Sequence, residues 1–323
     1  MRREGSPWQG LGTVVLKELA DHLDSVRMVL LGLLTILFAM VPLYIASEQL
    51  LTTTEDPFLL LKLFNPGGQG LSVVLMLTFA IPLVAIGLGF DAINGEHSRR
   101  TLSRILAQPI YRDALLAGKF LAGLFVLAVN LLCLWLLVVG FGLYRLGVPP
   151  GGEEFARSLI FVIVAIVYAG VWLSLAMLFS VLFRSPATAA LLSLGVWLFL
   201  TWLWPMISAV LAVVISPPRF ELVDLSGRAI SDPLTEAWQQ TLSRMSPNQL
   251  FQDAVSAILS PTTRSLGPVL DQLRQLQGAL GGTTVPLRES LLIAWPQAVG
   301  LIAGAIVLFV ATYVVFQRQE VRA

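Results

Sequence analysis

Charge is scarce in this chain, and one stretch concentrates it. Phe90 to Phe120 reads FDAINGEHSRRTLSRILAQPIYRDALLAGKF. Asp91, Glu96, Arg99, Arg100, Arg104 and Lys119 supply both signs of charge, suited to ion pairing across a joint rather than to making or breaking bonds. Cys133 is the only cysteine and lies inside an apolar run, so one chain builds neither a disulfide nor a cysteine-based metal site. His22 and His97 stand on separate polar segments and show no zinc spacing. The apolar runs hold no paired Asp, His or Ser at the depth an intramembrane protease or lipid-modifying enzyme needs. Gly118-Lys119 lacks the upstream glycine and the following hydroxyl of G-x-x-x-x-G-K-[ST], so no P-loop is expected.

The elements that must position this stretch follow from composition. The 323 residues are 56% apolar and 13% charged, with mean hydropathy +0.79. That is about half of the roughly 25% charge of a soluble domain. Runs near the ~20 residues needed to cross hydrocarbon must be helical, because lipid leaves backbone groups no other partner. Six spans are expected, at 27–47, 71–90, 117–142, 158–183, 187–215 and 290–316. A formal charge of +1 with no basic face argues against a nucleic-acid partner. More than 20 mostly polar residues precede the first run, so no cleavable signal is expected.

Lys and Arg near the span ends set orientation. With the N-terminus inside, inner segments hold twelve of them, including Arg2, Arg3, Arg184 and Arg318, whereas the short outer loops hold only Lys62, Arg145 and Arg157. Both termini are therefore expected to be cytoplasmic.

Residues 1–26 read as an inner-surface helix. Trp8, Leu11, Val15, Leu19, Leu23 and Val26 recur at helical spacing, with Lys17, Glu18, Asp21 and Asp24 largely elsewhere. The alternative is a short soluble helix leading into the membrane. Residues 216–289 form the one segment large enough to lie outside. Ser246, Pro247 and Gln249 predict an N-cap, a first helical position and a capping box. A second helix is expected near 266–280, stopped by Gly281-Gly282. Its burial partner, and that of the first, is open: another subunit, lipid, or each other.

Within the polar stretch, INGE predicts a turn, and a helix from Ser98 carries Leu102, Ile105 and Leu106 on one face until Pro109. Such a helix would lie across the base of two spans. A basic loop that only enforces orientation and meets anionic lipid is the plainer alternative.

The stretch resembles the cytoplasmic loop of type-2 ABC exporter permeases, the ABC-2 superfamily. The resemblance rests on Asp91, Gly95-Glu96, Thr101-Leu102, Leu106 to Pro109 and Gly118-Lys119, in that order, and on LFRSPATAA at 182–190. It implies an all-α polytopic protein with six spans, a coupling loop over 91–116, an extracytoplasmic segment over 216–289 and a final span and tail over 290–323. It further implies a dimer of permeases, expected to be a homodimer, each resting on a separate ATP-binding cassette subunit that holds ATP and Mg. The permease itself would carry no cofactor and no metal. Asp91, Gly95, Glu96, Arg99, Arg100, Thr101, Arg104 and Arg184 would meet the ATPase in the inner (plasma) membrane, with Glu96 the leading contact. Glu96 also suits a second role, capping the helix that follows through its N-terminal dipole.

Inside the spans, Asn130 is a weak candidate for the substrate pathway, and bonding to a neighbouring helix is its ordinary use. Trp172, Trp197, Trp202 and Trp204 are expected at the interfaces, with a pathway lining as the alternative. Pro42, Pro82, Pro205 and Pro296 should kink or interrupt their spans, and Gly300 and Gly304 form a G-x-x-x-G pair. With charge at the span ends, a secondary transporter is disfavoured. The expectation is an exporter permease for a lipid, drug-like or other amphiphilic substrate. A membrane scaffold, or a subunit transmitting force to an extracytoplasmic partner, is the alternative.

Overall fold

The computed structural model describes residues 10–51, 58–65, 71–98, 111–147, 149–217, 222–223, 229–230, 232–261 and 285–318. The segment 266–280 and the coupling helix expected after Ser98 lie outside them. Among the described residues, six helices are long and apolar enough to cross a membrane. They are α2 (Val26–Leu50), α4 (Val73–Gly89, continuing toward Glu96), α6 (Arg112–Leu146), α7 (Gly152–Leu182), α8 to α9 (Pro186–Leu198 and Trp204–Ile215) and α12 (Leu287–Arg318). Shorter helices are α1 (Leu11–Leu23), α3 (Leu59–Phe64), α5 (Asn94–Ser98), α10 (Pro233–Ser243) and α11 (Pro247–Leu259). Leu222–Val223 and Ala229–Ile230 pair antiparallel, the one strand pairing among the described residues.

The helix ends follow local chemistry. Ser25 and Ser72 accept the amides of Met28 and Leu75, and so cap α2 and α4. Gly147, at φ 69, closes α6 in the left-handed conformation that favours glycine. Pro42, Pro82 and Pro296 are accommodated inside continuous helices. Pro205 has a larger effect. It removes the amide that would bond the Thr201 carbonyl, and its ring crowds that carbonyl. The chain widens into a π-helical turn over Phe199–Leu203 and then resumes as α9, so span five is continuous through the proline.

Span four, α7, is the spine. Trp172, Tyr168, Phe161 and Met177 are buried along it, between α4, α6, α11 and α12. Gly89 and Gly123 permit this approach, because a Cβ on Gly89 would stand 2.9 Å from that of Ala176, and one on Gly123 would press on Leu173. Trp172 is thus a core residue, as is Trp197, rather than exposed at an interface; of the four singled out, Trp202 alone is broadly exposed.

The segment after span five is the main departure. Its described helices, α10 and α11, pack against the spans. Helix α10 runs back along α9, with Thr235 donating to the Ser216 carbonyl at 2.6 Å and Trp204 Nε1 donating to the Leu242 carbonyl at 2.9 Å. The chain turns at Arg244–Ser246 and returns as α11 between α7 and α12. Phe251 stacks on Tyr168 with centroids 4.4 Å apart, and Gly300 of α12 makes room for Leu250. That is what Gly300 contributes; Gly304 faces open space. At the tip, the Tyr168 hydroxyl lies 2.6 Å from Asn248 Oδ1, and Asn248 in turn donates to Thr201. Ser246 caps nothing with its hydroxyl, which donates instead to the Leu200 carbonyl of the π turn at 3.1 Å, so the expected capping box is replaced by a bond to span five.

Where α11 ends, Arg157 closes the structure. Its side chain is fully buried in α7, although the sequence placed it in a loop. Nη1 donates to the Ile258 carbonyl at 2.8 Å and to Ser290 Oγ at 3.0 Å, and Nη2 donates to the Val285 carbonyl at 2.6 Å. Nε and Nη2 both reach Glu153. Val285 N also donates to the Pro261 carbonyl at 2.7 Å, so residues 261 and 285 meet at one neck.

Candidate functional site

At the opposite end, spans two and three are joined by the polar stretch. The chain turns over Phe90–Ile93 and enters α5 at Asn94, so INGE begins the helix and the turn precedes it. Both Ile93 N and Asn94 N donate to Ser180 Oγ, at 2.9 and 3.2 Å, and Asn94 Nδ2 donates to the Phe183 carbonyl at 3.1 Å. Buried Asn94 therefore bolts the loop to the end of α7. Gly95 N closes the turn onto the Asp91 carbonyl.

Three elements then converge on one ammonium. Lys119 Nζ of α6 lies 2.9 Å from Glu18 Oε1 of α1 and 2.7 Å from Glu96 Oε1 of α5. Its side chain is 5% exposed, against 10% for Glu18 and 13% for Glu96. The same Glu18 oxygen takes Lys17 at 3.0 Å, and Lys17 also meets Asp21. A continuous ionic chain therefore runs from α1 through α6 to α5. Beside it, Arg27 of α2 holds Asp91 with two parallel bonds of 2.8 Å and stacks over Phe90, 5.0 Å from the ring centre. These groups rim a cavity of about 630 Å³ whose inner wall is Leu88, Leu173 and Met177.

Burial alone would push the Glu18 carboxyl up, but the Lys119 and Lys17 ammonium groups outweigh it and hold the group below its ordinary range. Burial pulls the Lys17 ammonium down, and Glu18 and Asp21 more than restore it. His22, facing the same cavity, is lowered chiefly by burial.

Of the residues singled out in the sequence, Asp91, Gly95 and Glu96 are brought together here. Glu96 faces inward to Lys119. Arg99, Arg100, Thr101 and Arg104 lie outside the described residues. Arg184 is exposed on the link between α7 and α8, at this same end. Asn130 is far from the site; its amide packs against Gly32 of α2, where a Cβ would come within 3.2 Å of Nδ2. Glu18 and Arg27 were missed as site residues. A signal existed, since Val14 and Glu18 are four apart and share the face of α1 that docks on α6.

That docking depends on Gly118. A Cβ there would stand 2.6 Å from Val14 Cγ1 and 2.9 Å from Val14 Cβ. Gly118→Val should displace α1 at a cost of about 1–3 kcal/mol, the range for overpacking. Tryptic cleavage at Lys17 should accelerate accordingly. Gly140→Ala, which meets nothing within 4 Å, serves as the control and should leave the cleavage rate unchanged.

Comparison with known proteins places this arrangement in context. Residues 13–321 match the model of the ABC-2 family transporter protein. The chain is similar to the probable ABC transporter permease protein NosY of Pseudomonas aeruginosa, at 30% identity over 209 residues, 63% of this chain and 70% of that protein. It is also similar to the probable ABC transporter permease protein NosY of Stutzerimonas stutzeri, at 30% identity over 149 residues, 44% of this chain and 52% of that protein.

Proposed function

Because the chain belongs to the ABC-2 family of transporter proteins, as a membrane-spanning permease subunit, we propose that it couples ATP hydrolysis by a separate ATP-binding cassette subunit to export of an amphiphilic substrate. ATP and Mg would sit on that partner, and two copies of this chain would pair. The end bearing α1 and α5 would face the cytoplasm, in keeping with the Lys and Arg bias of the loops.

The observation that carries the reading is Lys119, held at once by α1 and α5. A push on α5 from below cannot move that helix alone. It draws on α6 through Lys119 and on α1 through Glu18, and Asn94 passes it to α7 through Ser180 and Phe183. Two arrangements of such a packed network, each favoured by one nucleotide state of the ATPase, would make a gate. Glu96 would then be a transmission link. Direct contact with the ATPase would fall to residues 99–104 and to exposed Arg184. The neck at Pro261 and Val285 supports a second output, force on an extracytoplasmic partner, because residues 261 and 285 are held together at a single fixed point.

The test is gentle extraction of tagged protein from its native membrane, with mass spectrometry of what stays bound. An ATP-binding cassette subunit should be recovered, and it should be lost when Arg99, Arg100 and Arg104 are changed to alanine. Glu96→Gln should retain the ATPase subunit yet uncouple its activity. Full coupling in that variant would sink the transmission role, and clean isolation without an ATPase would favour a scaffold.

A further inference from the structure

The ionic chain leaves polar atoms unspent, and they border one cavity. Lys119 and Lys17 both donate to Oε1 of Glu18. Among the described residues nothing donates to Oε2, although the Glu18 side chain is only 10% exposed. That oxygen is not sealed in by protein either. His22 lies one turn further along the same face of α1, half-buried. Its backbone carbonyl takes Ser25 Oγ, but among the described residues its imidazole has no hydrogen-bond partner. Both side chains line the space of about 630 Å³ beside α1. Most buried polar side-chain atoms in folded chains are paired, so the vacancies here call for a partner from elsewhere.

The partner's chemistry follows from the atoms and the wall. A carboxylate oxygen only accepts, so the guest must donate. An ammonium donates with a charge, which makes the bond roughly twice as strong as one from a hydroxyl or amide. Lys119 and Lys17 oppose a third cation, but Glu96 and Asp21 lie against them. Among the described lining residues carboxylates outnumber cations by four to three. His22, kept neutral by burial, offers a ring nitrogen as a second acceptor. The inner wall is apolar, with Leu88 of α4 and Leu173 and Met177 of α7. A tail therefore goes in, and a charged head stays at α1. A two-chain lipid would enter head first and set its ammonium against that apolar wall. The volume falls within the roughly 300–1,000 Å³ of small-molecule sites.

We propose that this cavity binds a single-chain alkylammonium, its head on Glu18 Oε2 and His22 and its chain against Leu88, Leu173 and Met177. Occupancy would tie α1 to α4 and α7. The inference goes beyond the coupling reading, and its test needs no ATPase.

The full chain, with any subunit it retains, is placed in phosphatidylcholine nanodiscs at about pH 7.5, where an alkylammonium stays charged. Binding of radiolabelled octylammonium is measured by equilibrium dialysis, with discs lacking protein as the blank. Saturable binding of one equivalent per chain is expected, and exchange of the α1 amides should slow on binding. His22→Leu removes a ring that bonds to nothing in the fold and should weaken binding about three- to tenfold, the worth of one hydrogen bond. Glu18→Gln should weaken it on the order of tenfold or more, the worth of a charged one. Should Glu18→Gln free α1 by itself, seen in its exchange without ligand, His22→Leu decides, and unchanged affinity there would overturn the site. Absence of saturable binding above the blank would do the same. Equal affinity for octanol or octanoate would refute the ammonium, and equal affinity for ethylammonium would refute the apolar wall. Displacement by dihexanoyl phosphatidylethanolamine as readily as by unlabelled octylammonium would refute the tail-inward placement. Failure to recover an ATPase subunit, with octylammonium binding intact, would count against the coupling reading alone.

Discussion

Arg157→Met is expected to cost the detergent-solubilised protein about 3–5 kcal/mol, the range for breaking a buried ionic hub from one side. The side chain is fully buried, and three of its acceptors lie on separate segments, the end of α11, Val285 at the neck and the first turn of α12. Methionine fills the volume but leaves two buried carbonyls without donors, at about 1–3 kcal/mol each. Ser290→Ala removes one bond and should cost about 1 kcal/mol. Glu153→Gln should cost less again, because that carboxylate is 43% exposed and screened. Thermal unfolding of the three variants checks the order. An Arg157→Met loss no larger than that of Ser290→Ala would show that the neck does not depend on the arginine.

Lys119→Met should have the largest effect on coupling. It leaves Glu18 and Glu96, drawn from two elements, facing one another without the cation between them. Removing one member of a buried hydrogen-bonded charge pair costs about 2–5 kcal/mol. The pH dependence separates this from general loss of fold. In the wild type, Glu18 is held below its ordinary value, so its contribution is present at neutral pH and lost as pH falls through that lowered value. Without Lys119, burial prevails over the exposed Lys17, and the carboxyl moves up. The variant is then destabilised at neutral pH and relieved by acid. Docking of α1, read by hydrogen exchange of its amides corrected for their intrinsic pH dependence, should weaken in the wild type as pH falls through the lowered Glu18 value and strengthen as pH falls from neutrality in Lys119→Met. Parallel pH profiles would refute the pairing. Lys119→Met with Glu96→Gln should recover part of the loss.

The spans were legible because lipid leaves helices a single way to satisfy their backbones, and hydropathy alone then marks them. Gly95-Glu96 and Asp91 were legible as a cluster from the order of polar residues. Their partners were not. Arg27 lies 64 residues from Asp91, and Glu18 lies 101 from Lys119, separations that only the packing of α1 and α2 against the bundle resolves. Glu96 was expected to face outward; the buried ammonium of Lys119 turns it in. Arg157 read as a loop cation because charge counts toward orientation whatever its burial. The hairpin was read as external for a related reason. Its polar residues match a solvated helix, and its apolar stripe, Phe251, Val255, Ile258 and Leu259, names no partner until α7 and α12 are seen around it.

The seat of α11 also constrains how the chain is made. Translation delivers α11 before α12, yet α11 lies packed between α7 and α12. Its sequence is too polar and too short to be retained in the bilayer on its own account. Its seat is therefore complete only once α12, which forms one of its walls, is in place. A chain cut short before residue 287 lacks that wall and leaves the slot beside Tyr168 open on one side.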